Sequence, residues 1–216
     1  MTVRRTTIAG AVCAAVLVGT MGTASAGPWF RPPKHDEVKP ILPEGQSNPL
    51  IANGVAIGPA ATTYASSGLG PAGANTAAPA GTPERYIDFP GGTLPPGVTI
   101  TEAQAINALK QIKANLEAVG LTPRDVISMR AYLSNPPGAD VADFNGWNRA
   151  YRQFFANVDL VTRQPVPVPL GSAAPAPPMY VNAARPSRAA LEVENLPVAG
   201  WLVEVEVVAV YSGKKR

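Results

Sequence analysis

Arg188, Glu204 and Glu206 are charges set among residues that otherwise read as buried sheet. The first stands in PSRAALEVENLP, residues 186–197, and the two glutamates stand in LVEVEVVAVY, residues 202–211. A charge taken out of water must find a partner or cost several kcal/mol. Side chains alternate faces along a strand, so Leu202, Glu204, Glu206, Val208 and Val210 share one side while Val203, Val205, Val207 and Ala209 share the other. The uniformly apolar set belongs against helices, and the set with two carboxylates suits a cleft or an intersubunit face. On the residues alone, two readings of Arg188 stand open. It forms an interfacial ion pair with one of the glutamates, or it keeps its planar fork of donors for a ligand carboxylate while a nearby glutamate holds a water.

Several chemistries are excluded for want of residues. His35, in RPPKHDEVKP, is the only histidine and Cys13 the only cysteine. A Ser-His-Asp triad, a histidine-rich zinc site, an imidazole base, a metal-thiolate site and a cysteine nucleophile all fail. What remains is Arg, Asp or Glu, Tyr, Ser, Lys, backbone groups and water, with no metal site among them.

The ends read as export and tails. Residues 1–26 carry Arg4 and Arg5, an uncharged apolar run and Ala24-Ser25-Ala26 before Gly27, the layout of a secretory signal peptide cleaved after Ala26. The apolar run is shorter than the ~20 residues of a membrane span, which predicts no stable membrane insertion after cleavage. The arginine pair also leaves the twin-arginine route open. The expected location is secreted or periplasmic. Cleavage removes Cys13, Arg4 and Arg5, and the net charge falls from +3 to +1, leaving no footprint for nucleic acid. Residues 27–48 read as a flexible tail, and 213–216 as a small basic tail.

Between these ends lies one domain, 49–212, whose elements must position the charges. Of 24 prolines, 13 fall between residues 27 and 99 and seven between 156 and 186, which predicts extended segments and loops there. Two short strands are expected around the turn at Gly58-Pro59, then a loop over 72–98. TEAQAINALKQIKANLEAVG reads as a helix with a capping box at Thr101 and Gln104, an apolar face of Ile106, Leu109, Ile112, Leu116 and Val119, and Gly120 as its stop. Residues 125–133 read as a strand. A second helix runs from Asp140 or Asp143 to Phe155, with Phe144, Trp147, Tyr151 and Phe154 as a core stripe. The Pro/Ala-rich residues 156–184 form a lid or an inserted loop, and two strands follow, near 188–194 and 201–211. This order predicts an α+β domain with two helices on one face of a mixed sheet, and a second copy covering the other face in a closed oligomer.

The segment Thr101 to Leu133, the helix ending in Asn148-Arg149-Ala150-Tyr151-Arg152-Gln153-Phe154-Phe155, and PSRAALEVENLP followed by LVEVEVVAV together resemble the reactive intermediate deaminase family (RidA, also called YjgF) over roughly residues 50–211. The resemblance implies a chorismate-mutase-like fold and a homotrimer with sites in the clefts between subunits. It implies cofactor-independent hydrolysis of reactive 2-imino acids, such as the imine tautomer of 2-aminoacrylate, to 2-keto acids and ammonia. By position it makes Arg188 the carboxylate-binding arginine, Glu204 the holder of the attacking water, Ser67-Gly68 the loop lining the site and Asn148 a pocket asparagine. Glu206 receives no role. The chain departs from the family at Gly54, where an aromatic residue is usual, at Ala189 and Ala190, in the long 156–184 connection and in one residue inserted near Val198 to Trp201. The alternative is a secreted, non-catalytic trimer that binds a small carboxylate. A nuclease reading gains nothing from a near-neutral chain.

Overall fold

The structure, a computed structural model, describes residues 31–211; the expected signal peptide 1–26 and the expected basic tail 213–216 lie outside the described residues. The main sheet is built of β3 (Thr63–Ala65), β4 (Val126–Leu133), β5 (Ser187–Glu192) and β6 (Val203–Val210), in the order β3-β6-β4-β5. β4 and β5 are parallel, and both other pairings are antiparallel. Two helices, α1 (Ile100–Ala118) and α2 (Phe144–Phe154), cover one face. The α+β arrangement therefore follows the periodicities of the sequence. Val203, Val205, Val207 and Ala209 of β6 are buried beneath the helices, whereas Glu204, Glu206, Val208 and Val210 are half-buried on the outer face.

The start of α1 corrects one expectation. Thr99, not Thr101, is the N-cap, and its Oγ1 accepts the Glu102 N–H at 3.1 Å. Gln104 serves loops instead: its amide donates to the carbonyls of Pro83 (3.0 Å) and Gly200 (2.8 Å) and accepts the Leu202 N–H at 2.8 Å. Gly120, at φ +77°, ends the helix as expected, with the Leu121 N–H returning to the Leu116 carbonyl at 2.9 Å. Asp143 caps α2 through the Gly146 N–H at 2.7 Å, and the Thr99 hydroxyl donates to Asp143 Oδ2 at 2.5 Å. The two helices thus start from one hydrogen-bonded point.

The segment 27–48, expected as a flexible tail, contains a strand. β1 (Val38–Ile41) pairs antiparallel with β2 (Gly54–Ile57), forming a separate two-stranded sheet. The Gly58 N–H donates to the Glu37 carbonyl at 2.8 Å and the Ala60 N–H to the His35 carbonyl at 2.7 Å. A Cβ on Gly58 would come within 2.0 Å of the Lys34 carbonyl oxygen, so only glycine permits this approach. Charge and proline content describe local preference, whereas this pairing is long-range.

Residues 156–184 form an inserted loop pinned to the body by buried amides. Asn157 Nδ2 donates to the Arg152 and Tyr180 carbonyls, both at 2.9 Å, and its Oδ1 accepts the Asn182 N–H at 2.7 Å. Gln153 reaches the Pro169 carbonyl at 3.0 Å and accepts the Met179 N–H at 3.2 Å. Asn107 does the same for the 72–98 loop, donating to the Ala72 and Tyr86 carbonyls at 2.8 and 2.9 Å.

A buried ion pair joins these parts. Glu102 is 0% exposed, and its Oε2 receives Arg149 Nε at 2.8 Å and Nη2 at 2.7 Å. Its other oxygen accepts the Gly171 N–H at 3.0 Å. Removing the arginine strands a carboxylate that has no access to solvent, so Arg149→Ala is expected to destabilise the fold by about 3–5 kcal/mol. Urea unfolding of the chain lacking its leader measures this, and a loss of less than about 1 kcal/mol, typical of an exposed pair, would contradict the role given to Glu102.

Candidate functional site

Arg188 is the second residue of β5, paired with Met129 of β4. Met129 faces the helices and is 1% exposed, so Arg188 points to the same side and lies under α2. Its Nη2 donates to Asn148 Oδ1 at 2.7 Å. Its Cζ stands 4.4 Å from the centroid of the Tyr151 ring and 5.8 Å from that of Trp147, so the cation lies within an aromatic wall. Among the described residues Arg188 forms no ion pair, and Nη1 is shielded from solvent without a hydrogen-bond partner. Desolvation pulls its guanidinium below the usual arginine range, and burial raises the Tyr151 phenol beside it. An open cleft of about 460 Å³ is lined by 51–53, 128–130 and 187–189, with Ser128, Arg130, Ser187 and Ala189 turned to the face of the sheet opposite the Arg188 guanidinium; Trp147, Asn148 and Tyr151 do not line it.

Within one chain, Arg188 and the two glutamates stand apart. The glutamate that has a counter-charge is Glu206, and its partner is Arg130, at 2.7 Å, with the Tyr132 hydroxyl donating to the same oxygen at 3.2 Å. Arg188 is paired with neither glutamate. Glu206 thus holds two strands together on the outer face through a cross-strand pair.

The other expected residues gather elsewhere. Ser66 and Leu69 pair with Val207 and Val205, so Ser67 and Gly68 together stand opposite the single residue Glu206, a local bulge in the sheet edge. Gly68 meets the Glu204 carboxylate so closely that a Cβ there would lie 1.8 Å from Oε1. Ser67-Gly68 and Glu204 therefore form one group, and Arg188 and Asn148 form another. Glu204 pairs with Tyr132, three residues along β4 from Met129, and β4 lies between β5 and β6. Strand spacing and rise put the Cα atoms of Arg188 and Glu204 about 14 Å apart. They also point to opposite faces of the sheet.

Trp147 and Tyr151 were expected as core alone. Both are 0% exposed and do belong to the core, yet both also wall the guanidinium. Tyr151, three residues after Asn148 and four after Trp147, was the available signal, because residues at those spacings are neighbours on a helix surface. Among the described residues, no group of three or more His, Cys, Asp or Glu side chains is placed to hold a metal.

Comparison with known proteins adds the following. The profile of the family described as endoribonuclease L-PSP matches residues 92–211. No curated protein sequence matches the chain. Among solved structures, the chain is similar to the conserved Rid family protein YyfB from Yersinia pestis, at 17% identity over 81% of this chain and 98% of that one, with a TM-score of 0.43. It is also similar to E. coli TdcF with bound serine, at 24% identity over 81% and 100% of the two chains, TM-score 0.39. The YjgF gene product of E. coli gives 22% identity over 81% and 99%, TM-score 0.39.

The unpaired state of Arg188 has a measurable consequence. Asn148→Asp keeps the side-chain shape and gives the guanidinium a carboxylate at the position where it now has a neutral oxygen. The substitution is expected to stabilise the fold by about 1–2 kcal/mol, since hydrogen bonds to charged partners exceed neutral ones. Thermal and urea unfolding check this. An unchanged or lowered stability would mean that Arg188 is already compensated.

Proposed function

The chain belongs to the endoribonuclease L-PSP family, also known as RidA/YjgF, and from that premise we propose that it hydrolyses reactive 2-imino acids to 2-keto acids and ammonia. The observation that carries the proposal is Arg188, a guanidinium held in an aromatic wall without a counter-carboxylate and with one nitrogen unpartnered. Such a group is suited to an anion, and a planar guanidinium matches a small carboxylate.

The reaction asks little beyond positioning. Arg188 fixes the substrate carboxylate, leaving the imine carbon exposed. Water held by Glu204 adds to that carbon and gives a carbinolamine, a proton passes to nitrogen, and ammonia leaves as the carbon–oxygen double bond forms. Neither metal nor redox cofactor enters this balance. Fixing both reactants in place supplies most of the acceleration. Gly68 leaves room for the Glu204 carboxylate, which a Cβ there would displace.

The separation of Arg188 and Glu204 within one chain bears on assembly. The outer face, which carries Glu204, Arg130, Tyr132 and an exposed Leu191 (43% exposed), is a surface for a further copy of the chain. In the homotrimer we propose, one subunit's Glu204 group completes the cleft beside the next subunit's Arg188. The same separation favours a second reading, a secreted protein that binds a small carboxylate through Arg188 without turning it over. Cleavage of RNA is not expected of a nearly neutral chain.

An assay with freshly generated 2-iminopropanoate, following pyruvate and ammonia above the spontaneous rate, separates these readings. Turnover supports the first, and carboxylate binding without turnover supports the second. Arg188→Lys, which has no planar fork and no stacking plane, is expected to lower kcat/KM about 10–100-fold. Gly68→Ala displaces the Glu204 carboxylate and is expected to lower kcat with little change in KM or in unfolding temperature. Full deaminase activity in Arg188→Lys would defeat the assignment.

A further inference from the structure

The small two-stranded sheet leaves a cleft where it meets the main sheet. Pro40 pairs with Val55 and Val38 with Ile57, and residues directly opposite in an antiparallel pair point to the same side, so these four share one face. β4 carries a bulge at its start: Val126 pairs with Ala209 and Ser128 already with Val208, which leaves Ile127 as the extra residue. The cleft measures about 260 Å³ and is walled by Val38, Pro40 and Val55 from the small sheet and by Val126, Ile127 and Val210 from the main one. At the ~30 Å³ that a water-sized group occupies, it has room for about eight carbon atoms.

Charge around this aliphatic wall is unbalanced. Arg124, Asp125 and Arg185 are the charged residues of the lining. The Asp125 carboxylate is taken by the Thr122 N–H and hydroxyl, at 2.8 and 2.9 Å, in the capping box ahead of β4. Arg185 is buried and met by neutral oxygens. Arg124 differs from both. It is exposed, stands 5.8 Å from the centroid of the Tyr180 ring, and gives Nη2 to the Val181 carbonyl at 3.4 Å. Among the described residues it forms no ion pair.

We propose that this cleft binds a short aliphatic acid of about six to eight carbons, its chain against the six aliphatic side chains and its carboxylate on Arg124. The ligand is an acid because two cations border the cleft and its one carboxylate is already engaged. An exposed ion pair alone holds little, so the buried chain supplies most of the affinity and Arg124 the choice of head group. The site is independent of Arg188, which points to the helix side of the sheet. It also lies at the Val126 end of β4, whereas Glu204 pairs with Tyr132 toward the other end.

The test titrates the chain lacking its expected signal peptide with straight-chain acids from butanoate to decanoate, by calorimetry at low salt. Affinity is expected to rise about threefold to fourfold with each methylene up to about octanoate and then level off, because the cleft is full. Octanoate should bind at least about fivefold tighter than 1-octanol. Arg124→Gln, which keeps a polar stem and loses the charge, is expected to remove that difference and leave 1-octanol binding within about twofold. Val55→Phe, which fills the cleft, should weaken both ligands about tenfold or more. Excess pyruvate, the small acid expected at Arg188, should not displace octanoate. The chain-length series and Arg124→Gln stand whether or not Val55→Phe folds, because Arg124 is exposed. Affinity that does not grow with chain length, displacement by pyruvate, or an octanoate preference that survives Arg124→Gln overturns this inference and leaves the Arg188 reading in place. If no acid binds and Val55→Phe changes the oligomeric state in light scattering, the cleft belongs to a contact between copies of the chain, and the inference is overturned as well.

Discussion

The buried carboxylate of Glu102 is the constraint on which the helical layer depends. It sits in the first turn of α1, grips Arg149 of α2 through one oxygen and holds the Gly171 N–H through the other. Arg149 adjoins Asn148 on the same helix. Fixing Arg149 fixes the rotation of α2, and that rotation turns Trp147 and Tyr151 inward over the sheet, where Arg188 lies. A buried ion pair is weak evidence of net stability, because desolvation offsets its attraction. Its contribution here is registry, since any other rotation of α2 leaves a charge buried without a partner. The joined caps Thr99 and Asp143 fix the same helices at their ends.

Buried amides extend this ordering to segments without regular structure. Gln104, Asn107, Gln153, Asn157 and Asn182 are nearly solvent-free, and their hydrogen bonds go largely to loop backbone. A long loop laid against a protein must satisfy its own N–H and C=O groups. Gln104, Asn107 and Gln153 meet that demand from the helices, and Asn157 and Asn182 meet it from within the 156–184 loop. The 72–98 and 156–184 loops are thereby held against the helices, and the proline-rich text of the sequence describes fixed chain as much as loose chain.

Legibility in the sequence followed the range of the interaction. The apolar steps of α1 and the alternation of β6 are local and predicted both elements and the face each buries. The capping box at Thr101 and Gln104 failed because the same residue types serve two purposes. Thr99 made the cap, and Gln104 was needed by distant carbonyls. β1 was hidden because its strand exists only through pairing with β2, in a stretch whose charges and prolines resemble a tail. Arg188, Asn148, Glu204, Ser67 and Gly68 were legible as candidates, and two contacts among them appear in the fold. That the two groups face opposite sides of the sheet was not legible, because the face of Arg188 depends on its register with β4.

The contrast between Arg185 and Arg188, three residues apart, gives the strongest physical argument that the second is reserved for a ligand. Both are cations without a carboxylate, and burial draws both below the usual arginine range, Arg185 to about 10. Arg185 is 4% exposed and is fully engaged, by the carbonyls of Pro49, Ala183 and Val158 and by Asn48 Oδ1. It shows that this fold can satisfy a buried guanidinium from neutral oxygens alone when the group is structural. Arg188 receives one such oxygen, from Asn148, and the aromatic rings around it offer no further acceptor. A donor left unmet costs stability unless something binds it. That cost falls on the edge strand β5. Arg185, with its donors met, carries no such cost.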